Sequence, residues 1–361
     1  MALSQKIKTP YFGIYPESAQ NFLKSFRKLY SANDVISRLN SLKGLRVLAI
    51  GETILDEYHF VKVMGKSPKG THIATEFINQ EKYTGGVLAC ANHLAAFCDR
   101  VDVITALGKR GSFERFIRKN LKPNVVPRFF YYPEGCTIIK RRYVDYTYLN
   151  KLFEIYFFKD DLSIALEEEV GNYLVADVIA EYDLILIADY GHGFLTPKLI
   201  EVLCGLSSFL AINAQSNTAS IGYNPITKYK RANYFCLGEP ELHLAFQDKH
   251  ADIHKLIKLL AQQVSSKGVI SVTLGPKGSI VYDAEKELFY STPALSEKVV
   301  DTIGAGDAFL SITSACVARE FPKDLVGFIG NTVGSLAIAI LGNKASVQAE
   351  QLYKFITALL K

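Results

Sequence analysis

The chain has 361 residues, of which 49% are apolar and 21% charged, and its formal net charge is +5. This balance is typical of a globular protein with one large domain or two. The small, dispersed positive surplus argues against a nucleic-acid partner. No run of about 18 apolar residues predicts a membrane span, and a signal-peptide core is lacking, so we expect a cytoplasmic protein. Six scattered cysteines without a Cys-x-x-Cys pair favour free thiols over a zinc site or a disulfide framework.

Residues 1–43 are predicted to form a helical arm. Apolar residues at helical spacing in 17–30, and again in 35–39, predict two short helices, with Asn33 as the cap of the second. We expect the arm to pack on a main domain of residues 44–361. An independent binding element and the remnant of a link to a fused partner are the alternatives.

The main domain is predicted to contain alternating strands and helices. Buried-type strand patterns begin at residues 46, 101, 183, 210, 232 and 269, and helical patterns separate them. This order predicts an α/β fold with a doubly wound, mostly parallel sheet. Two β-rich segments, at about 58–83 and 128–158, predict a smaller sheet that projects from the domain.

Polar and glycine residues stand where such a sheet binds ligands. Asp56 follows the first core strand, where a carboxylate could accept hydrogen bonds from two ligand hydroxyls. Gly85 and Gly86 precede a small-residue helix, which would let the backbone approach a ligand, although a simple turn is the alternative. Strand alternation puts Lys140 and Arg142 on one face, suited to a phosphate or simply to solvent.

The organising stretch is residues 301–309, Asp-Thr-Ile-Gly-Ala-Gly-Asp-Ala-Phe. It joins an extended run at 298–300 to an apolar helical pattern. A strand that turns through Gly-Ala-Gly into a helix leaves backbone N–H groups open to an anion. Asp307 in such a cradle could take the proton of a hydroxyl that attacks phosphorus. A tight turn with an acidic first helical turn is the alternative.

The stretch 301–309 resembles the C-terminal signature of the ribokinase-like sugar kinases, the PfkB carbohydrate kinase family, and residues 84–97 resemble their N-terminal signature. The resemblance covers roughly 46–361. It implies a Mg-ATP-dependent kinase for a sugar or sugar phosphate, with the smaller sheet as a β-lid that often dimerises. It implies Asp307 as the catalytic base and the backbone of Gly304, Ala305 and Gly306 as the anion hole.

The resemblance also implies the remaining site residues. The sugar or sugar-phosphate side would comprise Asp56, Gly85, Gly86, Asn92, Lys140, Arg142 and Asp189. The nucleotide side would comprise Thr273, Gly275 and Gly278 along the phosphates and ribose, with Asn331 and Asn343 near the adenine. Glu241 would help to hold Mg²⁺ through water, and a monovalent cation is a further candidate cofactor.

The segment around Asp56, the run Lys140–Arg142 and the string Asp189-Tyr190-Gly191 are most similar to the heptose-phosphate kinases of ADP-heptose synthesis. The sequence departs from that branch at four ligand-facing positions, which leaves the sugar open: Ala89, His192, Asn213 and Gly238. A pseudokinase that binds nucleotide or sugar without turnover is the alternative function. A dinucleotide-dependent oxidoreductase is disfavoured, because no Gly-x-Gly-x-x-Gly follows the first strand.

Overall fold

The computed structural model describes residues 15–158, 164–178, 182–206, 208–264, 268–296 and 299–361. In chain order, the strands are β1 Arg46–Gly51, β2 Thr53–Lys66, β3 Ile73–Gly86, β4 Arg100–Gly108, β5 Val125–Tyr132, β6 Ile138–Asp145, β7 Lys151–Phe157, β8 Leu184–Asp189, β9 Leu210–Ala214, β10 Tyr234–Gly238, β11 Val269–Thr273, β12 Ser279–Asp283 and β13 Leu288–Thr292.

The α-helices are α1 Glu17–Phe26, α2 Ala32–Asn40, α3 Val87–Leu94, α4 Glu114–Asn120, α5 Ile164–Tyr173, α6 Pro197–Gly205, α7 Glu239–Phe246, α8 Ile253–Gln263, α9 Ala305–Ala318, α10 Lys323–Ala337 and α11 Ala349–Leu359. A π-helical turn spans Leu174–Val178, and 3-10 turns span Ile226–Lys228 and Gly275–Lys277. None of the helices in the described ranges combines the length and apolar character that a membrane crossing requires.

A nine-stranded sheet in the order β13-β12-β11-β10-β9-β8-β1-β4-β5 forms the centre of the described chain. Seven neighbouring strands of this sheet run parallel, namely β11, β10, β9, β8, β1, β4 and β5. Strands β12 and β13 extend it in antiparallel pairing at one edge. On β1, Val47 and Ala49 pack into one apolar core while Leu48 and Ile50 pack into a second. A strand buried on both faces is what helices on both sides of a parallel sheet produce. The predicted doubly wound α/β fold is confirmed.

The second sheet is the lid, with strand order β3-β2-β6-β7. It begins earlier than predicted, because β2 continues from β1 after Glu52 alone and therefore includes Asp56. The predicted second lid segment, 128–158, is partly wrong. Residues 128–132, with Tyr131 and Tyr132, belong to β5 at the edge of the main sheet, where they pair with β4.

The arm helices α1 and α2 pack on the C-terminal helices. Phe26 stacks on Phe328 of α10 with 4.4 Å between ring centroids, and Arg27 donates to the carbonyl of Leu359 at 2.7 Å. The cap of α2 is Ser31, in a capping box with Asp34, and not the predicted Asn33. The division at residue 43 stays a prediction.

Candidate active site

The stretch 301–309 folds as a loop that turns into a helix. Helix α9 begins after Gly304, which has a φ of +82°. A Cβ at this position would collide with Oδ1 of Asn343, so the turn requires glycine. The predicted extended run before it is wrong for Val299 and Val300, which lie outside strands, while Lys298 lies outside the described residues. The amide of Ala305 makes a long 3.4 Å bond to the carbonyl of Thr302, and the other amides of the first turn have no intrahelical acceptor.

Asp307 lies in the first turn of α9, where its side chain is partly exposed. The hydroxyl of Tyr190 donates to its Oδ1 at 2.8 Å. Burial raises the pKa of Asp307 to about 6; Asp56 adds to this rise, whereas the Tyr190 hydrogen bond and Lys140 oppose it. A carboxylate with a raised pKa that remains anionic near neutral pH suits a general base.

Asp56 lies on the inner face of the lid and is 3% exposed. Nη1 of Arg142 donates to its Oδ1 at 2.5 Å, and Nδ2 of Asn343 donates to its Oδ2 at 2.9 Å. A Cβ on Gly85 would collide with Oδ2, so glycine is required beneath the carboxylate. The next residue, Gly86, has a φ of +63° and turns the chain into α3.

Lys140 and Arg142 both lie on the inner face of β6, yet their surroundings differ. Arg142 is held between Asp56 and Glu154, at 2.5 and 3.0 Å. Lys140 has no ion pair among the described residues and lies 5.1 Å from the ring centre of Tyr156. Burial lowers the pKa of Lys140, and Asp56 acts against this. Lys140 is therefore the cation of this pair that an anionic ligand could engage.

The side chains of Asn92 and Asp189 both have hydrogen-bond partners within the protein. Nδ2 of Asn92 donates to the carbonyl of Asn120, and its Oδ1 accepts from the amide of Lys122. Both oxygens of Asp189 are occupied: Oδ1 by the Gly191 amide and an asparagine side chain, and Oδ2 by Lys228 and a tyrosine hydroxyl. The carboxylate of Asp189, 1% exposed and bound by four donors, has no free acceptor for a sugar in this structure, whereas the contact predicted for Asn92 stays a prediction.

A cavity of about 500 Å³, hereafter the α9–α10 cavity, lies beside the start of α9. Its lining includes four residues predicted for the nucleotide: Thr273, Gly275, Gly278 and Asn331. Ala305 and Gly306 also line it, so the cavity and the start of α9 are contiguous. The fifth residue, Asn343, is not part of this lining. Its amide donates to Oδ2 of Asp56 at 2.9 Å, and its place near the adenine stays a prediction.

Glu241 follows β10 at the carboxyl edge of the main sheet. Burial raises its pKa, and its own backbone amide with those of Ser216 and Gly238 acts against this rise. A Cβ at Gly238 would collide with Oε2 of Glu241, so the missing side chain at this departure makes room for the carboxylate. The described residues contain no cluster of three or more His, Cys, Asp or Glu side chains able to hold a metal. A single carboxylate fits a Mg²⁺ that keeps waters and phosphates as its other ligands.

Sequence reasoning missed two residues of the site, Glu52 and Tyr190. Glu52 is fully buried and accepts the amides of Tyr190 and His192 at 3.0 and 3.1 Å. Burial and the neighbouring Asp189 raise the pKa of Glu52 to about 7. Burial and Lys140 lower the pKa of His192 to about 4, and Asp189 acts against this. A carboxylate directly after a core strand was the available signal for Glu52.

Two curated relatives share the name Bifunctional protein HldE. Those from Geotalea uraniireducens and Campylobacter jejuni subsp. jejuni are both 24% identical to this chain, over 316 and 315 residues. Each alignment covers 86% of this chain but only 62% and 64% of the relative. The chain therefore spans less than two thirds of the length of these relatives.

Solved structures share the fold. Phosphofructokinase-2 from Escherichia coli, in complex with potassium, superimposes with a TM-score of 0.71 at 15% identity and covers 88% of this chain and 100% of its own. Ribokinase from Thermotoga maritima gives 0.64 at 16% identity, with 86% and 99% covered. The fold is thus ribokinase-like. The family model for the pfkB family carbohydrate kinases matches residues 45–349, most of the chain, and the protein therefore belongs to that family of sugar kinases.

Proposed function

We propose that the protein transfers the γ-phosphoryl group of ATP to a hydroxyl of a sugar or sugar phosphate, with Asp307 as the base. One observation carries this proposal. Asp307 stands in the first turn of α9, one oxygen bound by Tyr190, and no described side chain or amide binds the other. A base beside open helix amides is the arrangement that phosphoryl transfer to an alcohol needs.

The residues divide the work between positioning and charge stabilisation. Asp56, with the backbone of Gly85 and Gly86, would hold the acceptor sugar on the lid side. Asp307 would take the proton of the attacking hydroxyl, a contribution of roughly 100- to 10,000-fold. The backbone amides of Gly304, Ala305 and Gly306 would stabilise negative charge that develops on the transferred group. Mg²⁺ bound with ATP, near Glu241, would neutralise phosphate charge.

We propose a heptose phosphate as the specific acceptor. Two observations support it: Lys140 on the inner face of the lid has no ion pair among the described residues and could bind a phosphate, and relatives named HldE are 24% identical. Arg142 contributes less than its sequence position indicates, because two carboxylates already bind it. On the nucleotide side, the α9–α10 cavity would receive ATP. A monovalent cation stays a candidate; the potassium ion of phosphofructokinase-2 is a property of that protein.

The test measures ATP consumption by the full chain with Mg²⁺ and a panel of heptose and hexose phosphates. We expect one sugar to stimulate turnover and Asp307→Asn to reduce it at least about 100-fold while the protein stays folded. Asp324→Asn, which removes a first-turn carboxylate on α10, is the matched control and should retain turnover. Near-normal activity of Asp307→Asn would remove the assigned base. ATP-dependent stabilisation without turnover on any sugar would favour the pseudokinase.

We also propose a homodimer through the outer face of the lid. Alternation on β7 puts Glu154 and Tyr156 inside, and Phe153, Ile155 and Phe157 outside, where Phe153 is 52% exposed. Phe77 of β3 is 58% exposed on the same face. Aromatic side chains on an exposed sheet face are typical of interfaces.

Light scattering at micromolar protein tests the dimer. We expect twice the chain mass for the unmodified protein and a monomer for Phe153→Glu. Leu29→Glu, at an exposed apolar position of the arm, is the control and should remain dimeric. A monomeric unmodified protein would refute the proposal. A cytoplasmic location also remains proposed, and the six free cysteines are compatible with a reducing compartment.

A further inference from the structure

Tyr190 makes a hydrogen bond to Asp307 that the sequence did not predict. Its hydroxyl lies 2.8 Å from Oδ1 of Asp307, and no other hydrogen bond to that carboxylate group occurs among the described residues. The tyrosine ring is 4% exposed, and the hydroxyl's other polar neighbour is the thiol of Cys90 at 3.8 Å. Burial and the charge of Asp307 raise the pKa of Tyr190 well above its ordinary value. The hydroxyl therefore stays protonated and acts as the donor.

The backbone of Tyr190 is fixed on both sides. Its amide donates to Oε2 of Glu52 at 3.0 Å, and its carbonyl accepts from Nδ2 of Asn217 at 2.5 Å. The following residue, Gly191, has a φ of +69°, and its amide donates to Asp189 at 3.0 Å. These hydrogen bonds fix the turn, so the hydroxyl of Tyr190 is positioned without a ligand. Such preorganisation is how a protein orients a reacting group without reorganisation during the reaction.

We propose that Tyr190 is the positioning residue of the catalytic base: its hydroxyl binds Oδ1 of Asp307, keeps the carboxylate anionic, and leaves Oδ2 for the attacking hydroxyl. This inference rests on the proposed function of Asp307. A carboxylate accepts hydrogen bonds in its charged form, so a fixed donor stabilises that form.

The groups that face Asp307 act in opposite directions. Asp56 on β2 raises its pKa, and Lys140 on β6 lowers it. The thiols of Cys90 on α3 and Cys236 on β10 are neutral, because burial raises the pKa of Cys236 to about 12 and that of Cys90 further. Among these groups, the Tyr190 hydroxyl is the strongest influence against the effect of burial. Removal of this hydroxyl should therefore raise the pKa of Asp307.

The experiment compares Tyr190→Phe with Tyr234→Phe. The control also removes a buried hydroxyl in contact with α9, because Tyr234 binds Thr313 at 2.8 Å, but it does not touch the base. We expect the acidic limb of kcat/KM against pH, near pH 6 in the unmodified protein, to move upward by about one pH unit in Tyr190→Phe. At pH 6 the loss of kcat/KM should be about fivefold and at pH 8 slight. Tyr234→Phe should leave the limb unmoved.

Two further measurements keep the inference separate from folding and from the proposed function. Replacement of Tyr190 by 3-fluorotyrosine retains the ring and hydroxyl but makes a stronger donor, so the limb should move to lower pH. Carbon-13 titration of the aspartate carboxyl groups, with Asp307 assigned from Asp307→Asn, should show the same upward shift in Tyr190→Phe without any turnover. An unmoved limb and an unmoved titration in a folded Tyr190→Phe would overturn the inference. An active Asp307→Asn would overturn the proposed function instead.

Discussion

Gly334 on α10 lines the α9–α10 cavity at a position where glycine costs stability. Glycine within a helix is about 1 kcal/mol less favourable than alanine. A Cβ at Gly334 would meet no atom within 4 Å, so packing against the protein does not explain the glycine. We infer that the open space accommodates the bound nucleotide. Gly334→Ala should therefore raise the melting temperature of the free protein by about 1 °C.

A larger side chain at this position should separate folding from binding. Leucine is a good helix former, and because a Cβ at this position meets no atom within 4 Å we expect its side chain to extend into the cavity. At an ATP concentration of 100 Kd, binding stabilises a protein by about 2.7 kcal/mol. For a chain of 361 residues, this corresponds to a rise in Tm of about 3–4 °C. We expect Gly334→Leu to melt near the unmodified protein without ATP and to lose this rise.

Gly330, one turn earlier, is the matched control. A Cβ there would lie 2.6 Å from Cζ of Phe309 and 2.8 Å from Cγ2 of Thr313. Gly330→Ala should therefore destabilise the free protein by about 1–3 kcal/mol through overpacking. Differential scanning fluorimetry with and without Mg-ATP measures all three variants. A full ATP-dependent rise in Tm for Gly334→Leu would refute the placement of the nucleotide.

Two further predictions concern the lid. Gly85→Ala should displace the carboxylate of Asp56 and lower kcat/KM for the sugar on the order of 100-fold, with the ATP-dependent rise in Tm retained; steady-state kinetics measure the loss, and unchanged kinetics would contradict the role of Asp56. Lys151→Met removes a 2.7 Å ion pair to buried Asp301, with a loss of about 1–3 kcal/mol at pH 7. Burial acts to raise the pKa of Asp301, but Lys151, a backbone amide and a tyrosine hydroxyl lower it below 3.8. This stabilisation is present above pH 3.8 and is lost as pH falls through the lowered pKa, so acid unfolding of Lys151→Met should begin at higher pH. Lys62→Met, at an exposed lid position, should behave like the unmodified protein in the same circular-dichroism titration.

Local sequence patterns predicted the main sheet, most of the lid and the glycine turn at Gly304. These features depend on periodicity and on backbone conformations that glycine allows, which can be inferred from sequence alone. Partners across the fold could not be predicted in this way. Asn343 was placed beside the adenine, yet its amide reaches Asp56, which is 287 residues away in the chain.

The string Asp189-Tyr190-Gly191 illustrates the same limit. A ligand contact was predicted for Asp189, but its side chain points into the protein, where four hydrogen-bond donors surround it. The adjacent tyrosine reaches the base instead. Which of these two neighbouring side chains reaches Asp307 depends on the turn after β8, and Glu52, from a distant part of the chain, fixes that turn.

The passage from β1 to β2 through Glu52 alone has a mechanical consequence. One continuous length of backbone runs from the middle of the main sheet out to the tip of the lid. At this connection the lid is therefore joined to the main sheet by nearly continuous strand, without a flexible linker. We expect any movement of the lid at this connection to occur by bending of β2, because a hinge at Glu52 would disturb the buried carboxylate that fixes the Tyr190 turn.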